Sequence, residues 1–249
     1  MTAPFPYVLG PALGERANLG LIVLQSDETL EHDCRRLFPL DGVAQYVSRV
    51  QSAPEVSRET LAEMEADLPR AAGLLPPPVN FDVVGYGCTS GTSVIGAWRV
   101  ETLVKTGCST RAVTNPLSAL VAACQALGVQ RLALLSPYVE SVSHGLRAAV
   151  AEHGIETPVF GSFDEEVETR VARIDGPSVH QAAQQLGEQA DVDAVFLSCT
   201  NLRTLDVIAP LEQALGKPVL SSNQVLAWHM MRLAGLQDSP AGMGQLWKV

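Results

Sequence analysis

A short apolar run that opens into a turn of small and polar residues occurs four times in this chain, and the copies keep register. Leu19 to Leu24 leads into Gln25-Ser26-Asp27-Glu28-Thr29, and Phe81 to Gly85 into Gly85-Tyr86-Gly87-Cys88-Thr89-Ser90-Gly91-Thr92. Arg131 to Leu135 leads into Ser136-Pro137-Tyr138, and Ala194 to Leu197 into Ser198-Cys199-Thr200-Asn201. Cys88 and Cys199 stand 111 residues apart, and so do Asp27 and Tyr138. Asn115 and Asn223 form a third pair at 108 residues, each read as a helix N-cap, with Gly128 and Gly235 closing the two helices. Short, partly β-branched apolar runs alternating with helical patterns predict parallel strands covered by helices. Ligands of such sheets collect at the carboxyl ends of the strands, where all four turns lie. The repeat therefore predicts an α/β fold of two pseudo-symmetric Rossmann-like lobes, with the site in the cleft between them. Residues 1–110 plus about 220–249 make the first lobe and 111–219 the second.

Composition narrows the function. Apolar residues make up 47% and charged residues 18%, which excludes a disordered chain. A net charge of −10 repels nucleic acid and anionic lipid, so neither is an expected partner. No apolar stretch is long enough for a spanning helix, and Met1 to Gly20 lacks the basic and apolar regions of a targeting segment. Five cysteines without a CxxC pair fit free thiols in a cytoplasmic protein. Gly85-x-Gly87 is a weak dinucleotide signal, because Ser90 holds the sixth position and no acid follows about 20 residues on. His32-Asp33-Cys34 is too sparse for a metal site, and His144, His153, His180 and His229 are scattered. No metal and no cofactor are expected; self-association into a homo-oligomer is left open.

The cysteines divide by context. Cys34, in a predicted surface helix from Glu28 to Leu37, and Cys124, on the apolar face of the helix after Pro116, read as packing residues, as does Cys108. Residues 58–75 form an amphipathic helix capped by Ser57, and Trp98, Trp228, Met230 and Met231 read as core or interface. Cys88 and Cys199 differ, since each ends a strand just before a helix. There the macrodipole and nearby N–H groups favour thiolate, which predicts a pKa below the usual ~8.5. Facing lobes would set the two thiols on opposite sides of one substrate, one removing a proton or attacking while the other supplies a proton. Thr89, Ser90 and Thr200, with the turn N–H groups, could cradle a carboxylate or oxyanion, and Tyr138 adds a phenolic donor. A small-molecule sensor on the same fold is the non-catalytic alternative; it would need the cleft but neither thiol.

The runs Val84 to Thr92 and Leu197 to Leu202, with Ser136-Pro137-Tyr138 between them, resemble the aspartate/glutamate racemase superfamily from Leu19 to about Gly235. Within it the sequence is most similar to the maleate cis-trans isomerase and arylmalonate decarboxylase branch. The resemblance implies cofactor-free chemistry on a small carboxylate in a cleft between two lobes, with Cys88 and Cys199 at the two cysteine positions of maleate isomerases. Arylmalonate decarboxylases have glycine where Cys88 stands, so Cys88 favours an isomerase or racemase, with decarboxylation as the alternative. One departure concerns Asp27. Maleate isomerases usually carry asparagine there to grip a substrate carboxylate, and a second asparagine in the other lobe, aligned with Phe163-Asp164-Glu165-Glu166. An acid at position 27 repels a dicarboxylate by about 1 kcal/mol at ~4 Å even in water. It suits a substrate with an ammonium, amidine or amide in place of one carboxylate, and the Gln25 to Thr29 run is similar to a subgroup associated with ectoine utilisation. Asp27 also suits a helix N-cap, with Ser26 as competitor.

Overall fold

A computed structural model describes residues 4–249, so the first three residues of the N-terminal stretch read for a targeting segment lie outside the described residues. The first half runs β1 (Ala17–Leu24), α1 (Leu30–Leu37), β2 (Val43–Val50), α2 (Arg58–Gly73), β3 (Phe81–Gly87), α3 (Thr89–Ile95), α4 (Ala97–Gly107), β4 (Thr110–Thr114) and α5 (Pro116–Leu127). The second runs β5 (Arg131–Ser136), α6 (Glu140–Ala151), β6 (Glu156–Ser162), α7 (Glu168–Val171), α8 (Gly176–Gly187), β7 (Ala194–Leu197), α9 (Leu205–Leu215), β8 (Val219–Ser221) and α10 (Ser222–Leu233). The strands form two four-stranded sheets of order β2-β1-β3-β4 and β6-β5-β7-β8. Every pair is parallel. The sequence repeat is thus a repeat of sheet topology.

That order explains where chemistry can sit. The chain leaves β1 toward one edge of its sheet and β3 toward the other, so a crevice opens at their carboxyl ends. Asp27 follows β1 and Cys88 follows β3; Tyr138 follows β5 and Cys199 follows β7. The four strands involved are almost wholly buried, which is why they read as continuous apolar runs. The edge strands β2 and β6 are half exposed and carry Gln45, Ser48 and Arg49 or Glu156, Thr157 and Ser162.

Of the caps Ser57, Asn115 and Asn223 expected from the sequence, the first two are observed and the third is not. Ser57 and Thr60 form a reciprocal capping box at α2. Asn115 accepts from the Ser118 N–H at 2.8 Å, and Gly128 closes α5 in the left-handed conformation at φ +69°. Asn223, expected to cap α10, does not: Ser221 caps it by accepting from the Gln224 N–H. Asn223 lies inside the helix, where its amide donates to Asp33 Oδ2 and Thr200 O, both at 2.8 Å. Two acceptors fixed by neighbouring elements outcompete a cap that the adjacent serine fills. Cys34 is fully buried, because α1 turns Leu30, Asp33, Cys34 and Leu37 inward rather than lying on the surface. Trp228, Met230 and Met231 are buried in α10, whereas Trp98 is exposed on α4. Among the described residues no helix is long and apolar enough to cross a membrane.

Candidate active site

Cys88 is the N-cap of α3. Its Sγ accepts from the Gly91 N–H at 3.1 Å, and its carbonyl accepts from the Thr92 hydroxyl at 2.6 Å. Position 91 requires glycine, since a Cβ there would stand 2.8 Å from that Sγ and 2.7 Å from the Tyr86 hydroxyl. The N–H groups of Thr89 and Ser90, in the first turn of α3, have no acceptor within the helix and remain available to an anion.

The Cys199 turn is built differently. Cys199 holds φ at +99°, a region that non-glycine residues rarely occupy. The turn aims the Asn201 N–H at its own Sγ, 3.2 Å away. From β5 the Tyr138 hydroxyl reaches the same sulfur at 3.0 Å, and it also donates to Glu168 Oε1 at 2.7 Å. Ser162 fixes the tyrosine turn by donating to the Tyr138 carbonyl at 2.6 Å. Asn201 holds the other Glu168 oxygen, Nδ2 to Oε2 at 2.7 Å. Cys199, Tyr138, Glu168 and Asn201 are all buried and form one continuous hydrogen-bonded network.

The two cysteine turns are joined directly. The Thr200 hydroxyl donates to Gly87 O at 3.2 Å, one residue before Cys88. Ser222 Oγ accepts from the Cys199 N–H at 3.0 Å and bonds the Thr89 hydroxyl at 2.8 Å, one residue after Cys88. Of the expected cradle, Thr200 and Thr89 therefore use their hydroxyls to join the two cysteine turns, Thr89 by way of Ser222, while Ser90 is buried. Asp27 caps the chain entering α1, Oδ1 accepting from the Thr29 and Leu30 N–H groups at 2.8 Å each. Its Oδ2 is buried and has no hydrogen-bond partner. Asn201 reaches this turn too, accepting from the Glu28 N–H at 2.8 Å and from the Thr29 hydroxyl at 2.8 Å.

Two residues bonded into the cysteine turns escaped the sequence reading. Glu168 is buried although Asp164, Glu165 and Glu166 beside it are not, which corrects the expectation that the second-lobe acid would come from the 163–166 run. A short antiparallel bridge between Glu55 and Val167 places it: Val56 N–H donates to Glu166 O, and Glu168 N–H to Pro54 O, each at 3.0 Å. Ser222, the tie between the turns, lies next to its own helix cap and carries no local signal.

Electrostatics reverse one expectation. The helix N-terminus was to lower both thiols, yet burial pushes Cys88 up to about 12, against the Gly91 N–H, with the charges of Glu168 and Asp27 adding to the rise. Cys199 rises as well, by burial first and the Glu168 charge second, against the Tyr138 hydroxyl and the Asn201 N–H. Desolvation of a thiolate with acids beside it outweighs a partial helix charge. Burial raises Asp27 and Glu168 too, and the Asp27 charge raises Glu168 further. Both thiols are buried, Cys88 and Cys199 being 5% and 4% exposed. Two surface cavities of about 440 and 430 Å³ lie away from the thiols, between α3 and α6 and between α1 and α9.

Comparison with known proteins agrees with this architecture. The maleate isomerase of Nocardia farcinica is 29% identical over 238 residues, 92% of this chain and 94% of its own length. The arylmalonate decarboxylase of Bordetella bronchiseptica is 35% identical over 123 residues, 49% of this chain and 51% of its own. A solved structure of the Nocardia farcinica maleate cis-trans isomerase, a cysteine-to-serine mutant with a covalently bound succinylcysteine intermediate, superposes with TM-score 0.84. It is 27% identical, over 93% of this chain and 98% of that one. The sequence profile of the arylmalonate decarboxylase family matches residues 99–247, and the chain belongs to that family.

Proposed function

We propose that this protein is an isomerase or racemase of a small carboxylate-bearing acid, with Cys88 and Cys199 acting from opposite lobes and no cofactor. The observation that carries the reading is the pair itself: two buried thiols on turns joined through Thr200 to Gly87 and through Ser222 to Thr89. Maleate isomerases similar along 92% of this chain, one captured with a succinylcysteine, support thiol chemistry of this kind.

Either of two balanced routes uses the pair. In racemisation one cysteine, as thiolate, takes the proton from the carbon beside the carboxylate. The C–H electron pair passes into the carboxylate as an enediolate, and the other thiol returns a proton to the opposite face. In cis-trans isomerisation a thiolate adds to one alkene carbon while the other thiol protonates its neighbour. Rotation about the resulting single bond, then return of that proton to the second cysteine with cleavage of the C–S bond, releases the isomer and restores the thiolate and the thiol. In both routes the N–H groups of Thr89 and Ser90 hold the carboxylate, and the Tyr138 hydroxyl steadies whichever form Cys199 takes. Exclusion of water from the buried thiols protects the carbanion or thioether from side reactions.

Decarboxylation of a malonate is the second reading. The family match and the 35% identical decarboxylase support it, together with Thr89, Ser90, Tyr138 and Cys199. Cys88 stands against it, because a one-cysteine reaction leaves that thiol without work. Product mass separates the two. Incubated in D2O with alkenedioates, α-amino acids and substituted malonates, an isomerase or racemase changes mass only by exchanged deuterons. Loss of CO2 as the sole reaction would establish the decarboxylase.

A further inference from the structure

Glu168 and Asp27 are 2% and 4% exposed, and neither pairs with a lysine, arginine or histidine side chain. Glu168 is satisfied only by neutral donors, Tyr138 and Asn201. Asp27 has one oxygen on two backbone N–H groups; among the described residues the other has no hydrogen-bond partner of good geometry, the Thr200 hydroxyl being the neutral donor beside the carboxylate. The guanidinium that bears on Asp27, Arg49, is committed to the carbonyls of Leu24, Gln25 and Asp27 and to Glu31. The Asp27 charge bears on Glu168 and both acids bear on both thiols, and Asn201 physically links them, bonding Glu168 on one side and the turn after Asp27 on the other. Buried carboxylates are costly when ionised, a cost met by protonation or by a cation, and a ligand is the remaining source of a cation here.

We propose that the site takes an acid that also carries a positive charge, its ammonium or amidinium group lying against Asp27 Oδ2 and Glu168 while its carboxylate meets the first turn of α3. The assignment rests on the reading of this same site as catalytic and names its substrate class. A zwitterion matches the site end for end: orphan N–H donors at Thr89 and Ser90, acids at Asp27 and Glu168. A dicarboxylate would add a further negative charge beside two acids and two thiols. A cation there does chemical work as well as binding, since it offsets the charges that oppose thiolate formation at Cys88 and Cys199.

The test is binding, which does not depend on turnover. The whole chain is titrated calorimetrically with maleate, its monoamide maleamate, (Z)-4-aminobut-2-enoate and 3-amidinopropanoate. The first three share one carbon skeleton. At least one of the two cation-bearing acids is expected to bind tenfold or more tighter than maleate. Asp27→Asn and Glu168→Gln, which keep shape and hydrogen bonding, are each expected to shrink that preference tenfold. Maleate binding as tightly as the cation-bearing acids, or neither of those acids binding, overturns the assignment, as does an unchanged preference in both variants. If the cation preference holds and the cysteines prove dispensable for turnover, the proposed reaction falls and this assignment stands. Efficient isomerisation of maleate that requires both cysteines, with no preference for the cation-bearing acids, overturns this assignment and leaves the proposed reaction standing.

Discussion

Replacing Cys199 by alanine and by glycine separates the chemistry of the thiol from the backbone conformation that presents it. Both substitutions remove the contacts of Sγ with the Tyr138 hydroxyl and the Asn201 N–H. Only glycine relieves the φ of +99° at this residue. Holding a side chain in so sparsely populated a region costs about 1–3 kcal/mol, and the greater freedom of glycine in the unfolded chain offsets about 0.5–1 kcal/mol of that relief. Mid-range values leave Cys199→Gly about 1 kcal/mol more stable than Cys199→Ala. For a chain of this length that corresponds to a Tm roughly 2–4 °C higher. Thermal unfolding of the two variants, at one scan rate and pH, reads the difference, and both are expected to lack turnover. Equal stabilities, or a less stable glycine variant, would show that the turn stores no strain and that the thiol is not held by its backbone.

Further outcomes follow from the buried polar groups. Burial raises Asp33 from 3.8 to about 7, so its protonated form favours the fold. That contribution is complete below pH ~4 and lost as pH rises through ~7, on the order of 4 kcal/mol in all. Asp33→Asn should flatten the stability profile over this range and exceed wild type at pH 8; a parallel profile in urea titrations would contradict it. Tyr138→Phe strips a hydrogen bond from Glu168 and from Cys199 together and should cost about 1–3 kcal/mol of stability by urea unfolding, with turnover down about 10²-fold. Ser222→Ala leaves the Cys199 N–H and the Thr89 hydroxyl unpaired, and a loss of about 1–3 kcal/mol is expected in the same measurement.

Local chemistry decides which features are legible in the sequence. The central strands announce themselves because burial on both faces makes them continuous apolar runs, and the 111-residue offset between Cys88 and Cys199 is the shared order of the two sheets. The edge strands stay hidden because half their residues face water and their patterns resemble loops. Glu168 cannot be picked from its acidic neighbours, since its burial depends on pairing between Pro54 to Val56 and Glu166 to Glu168, more than a hundred residues away. The thiols fail in direction for the same reason: a helix end is visible in sequence, whereas the desolvation and acids that overrule it arrive through tertiary packing. Asp27 meets its reading as a cap, one oxygen accepting at the start of α1, while its other oxygen lacks a hydrogen-bond partner among the described residues.

If two cysteines act as one unit, the most direct measurement is turnover of one substrate by wild type, Cys88→Gly, Cys199→Ala and the double variant. Groups that work together lose activity non-additively. Each single variant is expected to fall by about 10³-fold or more, with the double variant no worse than either. Cys88→Gly retaining most of the wild-type rate while Cys199→Ala loses it would contradict the two-cysteine mechanism and leave a one-cysteine decarboxylase in its place.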